Sequence, residues 1–283
     1  MISVVLGTTL RIITNSASNV FQKNLTNIGE HPAKINFINY ILMSLFSIPI
    51  LLINNFLDFT FEFWTFAILG GITGAICNFF MALALRQGQL SVLGPINSYK
   101  SVIGLIFGII LLQEYPSIYG LSGIVLIIFG TYFIFDKPSD FFKKDILYRF
   151  YALFFSAIEA VFIKKVIILS SISVSFAVSS IFGAIFSFLI IKIFVPEQTK
   201  LSIEQSQIKQ YTLMALCFGS MTFLTAFVFK LINVSYALAL FQLSVVLNVI
   251  LGYKLFREKN LLKKLAGSFI ILLGSTMIIL FGN

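Results

Sequence analysis

Three ionisable side chains lie deep within apolar stretches of the sequence: Arg11, Lys100 and Glu159. Each lies about ten or more residues from the end of its stretch, which is about 15 Å deep if the stretch is a helix that crosses a membrane. An unpaired charge at the centre of a bilayer costs about 2.5–3.5 kcal/mol, so three together would cost roughly 8–10 kcal/mol. We therefore expect all three side chains to face inward, where pairing, water or a substrate compensates the charge.

Two cations and one carboxylate would match a substrate that carries an anionic group, such as a carboxylate or a phosphate. Glu159 would then bind an amine, which makes an amino acid an attractive substrate, or it would carry a proton. In the alternative interpretation, Lys100 and Glu159 form a buried ion pair that serves the architecture alone. The residue types by themselves leave both interpretations open.

Neutral polar side chains accompany the charged ones at helical spacing. Arg11, Asn15, Asn19 and Gln22 recur every three or four residues and therefore share one helix face. Pro95 precedes a second polar group and can bend its helix. The candidate substrate-binding residues are Lys100, Glu159, Arg11, Asn15, Asn19, Asn97, Asn78, Tyr99, Gln242 and Asn248.

Composition identifies the elements that must position these residues as membrane helices. Of the 283 residues, 58% are hydrophobic and 11% are charged, whereas about 25% are charged in a typical soluble domain. Apolar runs of about 18 or more residues predict membrane-spanning helices. Ten such runs occur, at 2–23, 34–54, 63–85, 90–112, 117–135, 147–169, 173–194, 210–230, 235–255 and 261–281.

The remaining composition excludes several classes of function. Apart from Arg11 and Lys100, the basic residues that give the net charge of +9 mostly flank the predicted helices, which is typical of contact with lipid headgroups and not of nucleic-acid binding. Cys77 and Cys217 fall inside predicted helices, where we expect small buried apolar side chains. His31 is the single histidine, and no nucleotide-binding motif occurs. We expect no metal, no cofactor and no catalytic residue.

The second half of the sequence repeats the first. A gapless shift of 144 residues pairs Gly108 with Gly252, Glu114 with Glu258, Gly123 with Gly267 and Gly130 with Gly274. At a slightly different shift, NVFQKNL (19–25) resembles AVFIKKV (160–166). Five helices per copy is an odd number, so the second copy enters the membrane in the opposite direction, as in many secondary transporters. We predict a first repeat at 1–136, a linker at 137–145 and a second repeat at 146–283.

The charged residues break this repeat. Lys100 aligns with Ser244, and Arg11 aligns with roughly Ala152. A purely architectural pair would more plausibly occur in both copies, so the asymmetry favours a functional role for the charges.

The ten helices, the two halves and the pattern of one glutamate followed by two glycines resemble the drug/metabolite transporter superfamily, in particular its EamA-type members. The pattern consists of Glu114, Gly123 and Gly130 in the first half and Glu258, Gly267 and Gly274 in the second. The resemblance covers nearly the whole chain. It implies a basket of ten helices around a central cavity, with helices 1–4 and 6–9 lining the cavity and helices 5 and 10 outside. Family members move amino acids, nucleotide sugars, nucleosides and other metabolites.

We therefore predict an all-α integral membrane protein that transports a small polar or charged metabolite by alternating access. Its expected partners are a small-molecule substrate, the lipid bilayer and a proton or counter-substrate, and the expected location is the cytoplasmic membrane of a bacterium. Glycines spaced four apart, at 70–74 and 104–108, predict close helix contacts within the bundle or in a homodimer. The alternatives are a membrane scaffold or receptor without transport and an integral-membrane enzyme that modifies lipids.

The distribution of basic residues predicts the orientation. The connections after helices 1, 3, 5, 7 and 9 carry fifteen lysines and arginines, among them Lys23, Lys34, Arg149 and Lys264. The opposite side carries three: Lys164, Lys165 and Lys230. The positive-inside rule then places both termini outside the cytoplasm, whereas the family resemblance implies that both lie inside. We expect alkaline phosphatase fused to the C-terminus to be active and a cytoplasmic fluorescent reporter fused there to be dark. The opposite pair of signals would contradict the charge-based orientation.

Overall fold

The computed structural model describes residues 2–53, 59–100, 102–103, 117–135, 138–199, 203–232 and 234–281. These residues form eleven α-helices and two short 3-10 turns, at Pro138–Phe142 and Pro196–Thr199. The helices are α1 Ile2–Asn27, α2 Pro32–Ile53, α3 Phe61–Gln87, α4 Leu90–Ile96, α5 Ile118–Ile134, α6 Lys144–Leu169, α7 Ile172–Phe194, α8 Gln205–Leu231, α9 Val234–Phe241, α10 Ser244–Phe256 and α11 Leu261–Phe281.

Short polar residues begin several of these helices. The side chains of Thr60, Ser117 and Ser171 each accept a hydrogen bond from the backbone N–H three residues later, at the starts of α3, α5 and α7. Glu204 and Gln207 form a capping box at the start of α8. These bonds satisfy N–H groups that have no partner within the helix. The apolar helices therefore begin at defined residues after short connections.

The outer surface of the helix bundle is apolar. Five described helices, α2, α3, α7, α8 and α11, are long and apolar enough to cross a membrane. Large side chains such as Leu6, Val125, Phe129 and Ile193 are exposed on the outside. A continuous apolar exterior of this kind fits a bilayer and not water. Helices α1 and α6 are not among these five. They contain the charged residues Arg11 and Glu159, respectively.

The contacts between helices follow the predicted internal symmetry. Helix α1 packs along α8, and α3 packs along α6. In the repeat, α1 corresponds to α6 and α3 corresponds to α8, so these two contacts are equivalent. Helix α2 packs on α7, and α5 packs on α11. In each of these pairs the two helices are equivalent members of the two repeats. The structure thus has the predicted fold class, an all-α membrane protein of two inverted five-helix repeats around a central cavity.

The repeat glycines form the contact between α5 and α11. A Cβ atom on Gly123 would lie 2.6 Å from the carbonyl oxygen of Gly274, and one on Gly130 would lie 2.8 Å from that of Gly267. The shift of 144 residues converts one contact into the other. The two backbones touch because these positions carry no side chain.

The fourth and ninth predicted helices are not continuous, which corrects the spans 90–112 and 235–255. Helix α4 ends at Ile96 and a turn follows at 97–98, while α9 ends at Phe241, one turn before α10. Pro95 supplies no N–H donor, which favours the first break. The backbone bonds at both breaks span three residues, with Asn97 N donating to Gly94 O at 3.0 Å and Val245 N to Gln242 O at 2.9 Å. Residues 104–112 of the fourth span lie outside the described part of the chain.

Several basic residues predicted to flank the membrane are buried inside the protein. The side chains of Lys23, Lys34, Arg149 and Lys264 are each more than nine-tenths buried. Lys34 forms a salt bridge with Glu30 at 2.7 Å. Only part of the positive charge near the helix ends is therefore available to lipid headgroups.

The glycines at 70–74 also pack inside the bundle. Gly71 lies against Phe182 of α7, and Gly74 lies against the carboxylate of Glu159 in α6. These glycines bring α3 close to the second repeat. The glycines at 104–108 lie outside the described residues.

The glycine contact between α5 and α11 predicts a strong effect of added volume. Gly130→Leu would force the two helices apart, and overpacking of this kind costs about 1–3 kcal/mol. We expect a lower midpoint of thermal unfolding in detergent. The matched control is Val125→Leu, because Val125 is 65% exposed on the same helix. Equal midpoints for the two variants would contradict the close approach.

Candidate substrate cavity

A central cavity lies between the two repeats, and α1 to α4 and α6 to α10 contribute to its wall. Its volume is about 150 Å³, which is room for several water molecules or a small solute. Eight of the ten candidate residues line it: Lys100, Glu159, Arg11, Asn15, Asn19, Asn97, Asn78 and Asn248. The polar stripe of α1 faces inward over its whole length, because Gln22 lines the cavity as well.

The other two candidates, Tyr99 and Gln242, do not line the cavity. The hydroxyl of Tyr99 shares a hydrogen bond of 2.8 Å with Thr131 in α5. The side-chain oxygen of Gln242 accepts hydrogen bonds from Asn97 at 3.0 Å and from Ser98 at 3.3 Å. Tyr99 therefore connects the chain just after the α4 break to α5, and Gln242 joins the two helix breaks to each other.

Lys100 and Glu159 do not form the ion pair of the architectural interpretation. The ammonium of Lys100 donates to the hydroxyl of Ser156 at 2.9 Å. Ser156 lies three residues before Glu159, on the same face of α6. Among the described residues, no salt bridge includes Glu159. The carboxylate of Glu159 lies against Gly74, because a Cβ atom at Gly74 would be 2.6 Å from Glu159 Oε1. Glu159 also lines the cavity.

Arg11 is held by the second repeat. Its Nε donates to the hydroxyl of Thr225 in α8 at 3.3 Å. Its guanidinium lies 4.0 Å from the ring centroid of Phe241, a cation–π contact at the end of α9. One nitrogen is thus engaged in a hydrogen bond while the rest of the guanidinium borders the cavity.

Arg149 lines the cavity, although its place near the start of the sixth predicted helix put it among the charges expected to flank the membrane. Its Nε donates to the carbonyl of Leu93 at 3.1 Å, its Nη2 to Asn97 Oδ1 at 2.8 Å and its Nη1 to the sulfur of Met81 at 3.0 Å. The signal in the sequence was helical spacing, because Arg149 precedes Ser156 by seven residues and so shares a face with it. Its burial, with 8% of the side chain exposed, depends on contacts with other helices.

The two arginines contact equivalent positions in opposite repeats. Arg149, in the first helix of the second repeat, binds Asn97 at the break of the fourth segment. Arg11, in the first helix of the first repeat, packs on Phe241 at the break of the ninth. Positions 97 and 241 are 144 residues apart, the period of the repeat. Each break is therefore stabilised by an arginine of the other repeat.

Neutral amide side chains complete the wall. Asn78 donates to the hydroxyl of Tyr40 at 2.6 Å and to the carbonyl of Gly74 at 3.0 Å, so its Nδ2 is occupied. Asn248 also lines the wall. Its side-chain oxygen is buried and has no hydrogen-bond partner among the described residues.

The charges that border the cavity are unequal. Arg11, Lys100 and Arg149 contribute three positive charges, and Glu159 contributes the one carboxylate among the described lining residues. Within the described part of the chain, no group of three His, Cys, Asp or Glu residues is placed to hold a metal ion. Both cysteines are free thiols, and Cys77 lines the cavity. The described charged side chains of the wall are therefore mainly positive.

The fold and the polar cavity define a multi-pass membrane protein of two inverted repeats. The sequence profile of the EamA-like transporter family matches residues 3–136 and again residues 143–280. The protein belongs to this family of membrane transporters. No curated protein matches the chain.

Solved structures share the fold. Among 27 matching chains, one titled "Crystal structure of protein" superposes with a TM-score of 0.67 over 97% of this chain and 96% of that chain. The two sequences are 14% identical. The similarity therefore shows a common arrangement of helices.

The contacts of Arg149 predict that a second cation cannot replace it. Arg149→Lys keeps the charge but loses the planar fork that reaches three partners, and each lost bond from a charged donor costs about 1.5–3 kcal/mol. We expect a lower midpoint of thermal unfolding. Lys192→Arg, on an exposed side chain of α7, is the control. If Arg149→Lys melts at the same temperature as the control, the clamp on the α4 break has no energetic role.

Proposed function

We propose that the protein is a secondary transporter that moves a small polar or charged metabolite by alternating access. The observation that carries the proposal is the polar cavity between two inverted repeats, bordered by three cations and by a carboxylate that forms no salt bridge with any described residue. Inverted repeats supply two conformations of similar energy, open to opposite sides of the membrane. Substrate exchange or an ion or proton gradient would drive the cycle.

The state of the charges supports a role in binding. A buried ion pair between Lys100 and Glu159 would have offset the cost of placing both in the membrane. Lys100 instead bonds to a neutral hydroxyl, and the carboxylate of Glu159 lies against a glycine. These groups keep the capacity for a charged partner, which a substrate or a proton can provide.

The unequal charges favour an amino-acid-like substrate or an organic anion. Lys100 and Arg11 both border the cavity, and each has donor capacity left for a carboxylate or phosphate. Arg149 is less available, because all three of its nitrogens already donate. Glu159 would bind the amine of an amino acid, or carry the proton that accompanies an organic anion.

We place the protein in the cytoplasmic membrane of a bacterium, with a proton or a counter-substrate as the coupled species. A homodimer stays a prediction, since the glycines at 70–74 are used inside the bundle. The preferred orientation has both termini outside the cytoplasm.

A two-stage experiment tests the proposal. Purified protein is first screened by thermal shift with amino acids, organic acids, nucleotides and sugars, and compounds that stabilise it are then tested for uptake into proteoliposomes. Lys100→Ala should reduce uptake roughly tenfold or more, because a charge-assisted contact of about 1.5–3 kcal/mol is lost. Lys230→Ala, at an exposed lysine, is the matched control and should transport normally.

Glu159→Gln separates the two candidate substrates. If Glu159 binds an amine, the variant loses uptake of the amino acid in the presence and absence of a proton gradient. If Glu159 carries a proton, the variant keeps exchange but loses the response to the gradient. Normal uptake by Lys100→Ala, or the absence of stabilisation and flux across the whole screen, would overturn the proposal.

A further inference from the structure

A buried lysine connects the end of α1 to the end of α3. Lys23, in the last turns of α1, donates to the carbonyl of Leu85 at 3.4 Å and to that of Gly88. Both carbonyls lie at the C-terminal end of α3, where carbonyl groups lack partners within the helix. A cation there also complements the helix dipole. Lys23 is 8% exposed, so the contact lies inside the protein.

The second repeat makes the same contact at the other end of the bundle. Lys164, near the end of α6, donates to the carbonyl of Phe229 in the last turn of α8. Lys164 occupies the position of Lys23 in the matching segments 160–166 and 19–25. Phe229 lies 144 residues after Leu85, the period of the repeat. Because the repeats are inverted, the two lysine contacts lie at opposite ends of the cavity.

These contacts connect the two helix pairs that enclose the cavity. Helix α1 packs along α8 and α3 along α6, and the cavity lies between these pairs. Lys23 joins α1 of the first pair to α3 of the second, and Lys164 joins α6 of the second pair to α8 of the first. A rocking motion that separates the pairs at one end breaks one lysine contact and preserves the other.

We propose that Lys23 and Lys164 are the positioning residues of two opposite gates, and that each is released in one open state of the transport cycle. The inference rests on the proposed alternating access and assigns its two end contacts to named residues. Both contacts are formed in the structure. Neither lysine lines the cavity, so neither has a direct part in substrate binding.

Further hydrogen bonds stabilise the Lys23 end of the bundle. At the Lys23 end, the carboxylate of Glu258 accepts hydrogen bonds from the backbone of Leu90 at 2.7 Å and of Ser91 at 2.8 Å, and Lys264 donates to the Ser91 hydroxyl at 2.8 Å. These bonds tie α10 and α11 to α4 at the end where Lys23 is buried. At the other end, the half-buried Lys164 donates to the carbonyl of Phe229, and Glu114, the counterpart of Glu258 in the repeat, lies outside the described residues.

The native thiol of Cys77 reports on the gates without any substrate. Cys77 lines the cavity, and Cys217→Ser leaves it as the single cysteine. A membrane-impermeant methanethiosulfonate is added to intact cells or to inside-out vesicles, so that each face is probed separately. Lys23→Met should raise the labelling rate about tenfold from the face at the Lys23 end. Lys164→Met should raise it to a similar extent from the opposite face.

Matched variants make the result specific. Lys192→Met and Lys230→Met change exposed lysines at the Lys23 end and the Lys164 end, respectively, and should leave labelling unchanged. Lys23→Arg and Lys164→Arg keep a charged donor and should label at the parent rate. If a methionine variant is not monodisperse after purification, the corresponding glutamine variant takes its place and should give a smaller increase from the same face.

Equal labelling of the folded lysine variants and the parent would overturn the inference, and so would an increase from the same face in both. Because the measurement needs no transported compound, it is separable from the proposed function. If the two methionine variants raise Cys77 labelling from opposite faces but no compound of the screen is transported, the assignment of the gates stands and the proposed transport function does not. Flux that depends on Lys100, with no change in labelling, would preserve transport and remove the gates.

Discussion

A charged or hydrogen-bonding group inside a bilayer must find its partner within the protein, and this constraint organises the centre of the molecule. The breaks in the fourth and ninth segments free backbone groups inside a bundle that is surrounded by lipid, which offers no hydrogen-bond partner. Arg149 takes up the carbonyl of Leu93, and Gln242 connects the two breaks through Asn97 and Ser98. The breaks and their polar partners therefore depend on each other, because neither would be stable alone in an apolar medium.

The same constraint explains why the scaffold is symmetric while the cavity is not. Contacts of the scaffold occur twice, as in the glycine contacts of α5 with α11 and in the lysine contacts at the two ends of the cavity. Lys100 and Glu159 occur in one copy, since the shift of 144 places Ser244 opposite Lys100. Symmetric contacts give two related conformations, and the unique charges supply a site that a particular solute can recognise.

Burial of basic residues connects the ends of the bundle with its centre. Lys23 and Lys264 resemble headgroup-facing lysines in sequence, yet they bond to groups at the ends of α3 and α4. A lysine at a helix C-terminus satisfies free carbonyls and complements the helix dipole. A basic residue near a helix end can therefore hold two helices together. The count of basic residues used to predict orientation thus includes lysines that serve packing and do not contact lipid headgroups.

The sequence by itself determined the helical class, the membrane setting and the internal repeat, because hydropathy and the glycine spacing are local or periodic properties. The stripe of α1 was predictable for the same reason, and all four of its residues reach the cavity. Only the tertiary structure decided that Arg149 borders the cavity, that Tyr99 and Gln242 turn away from it, and that Lys100 bonds to Ser156 and not to Glu159. These outcomes depend on which helices meet across the two repeats, and helix pairing is set by contacts between residues far apart in the chain.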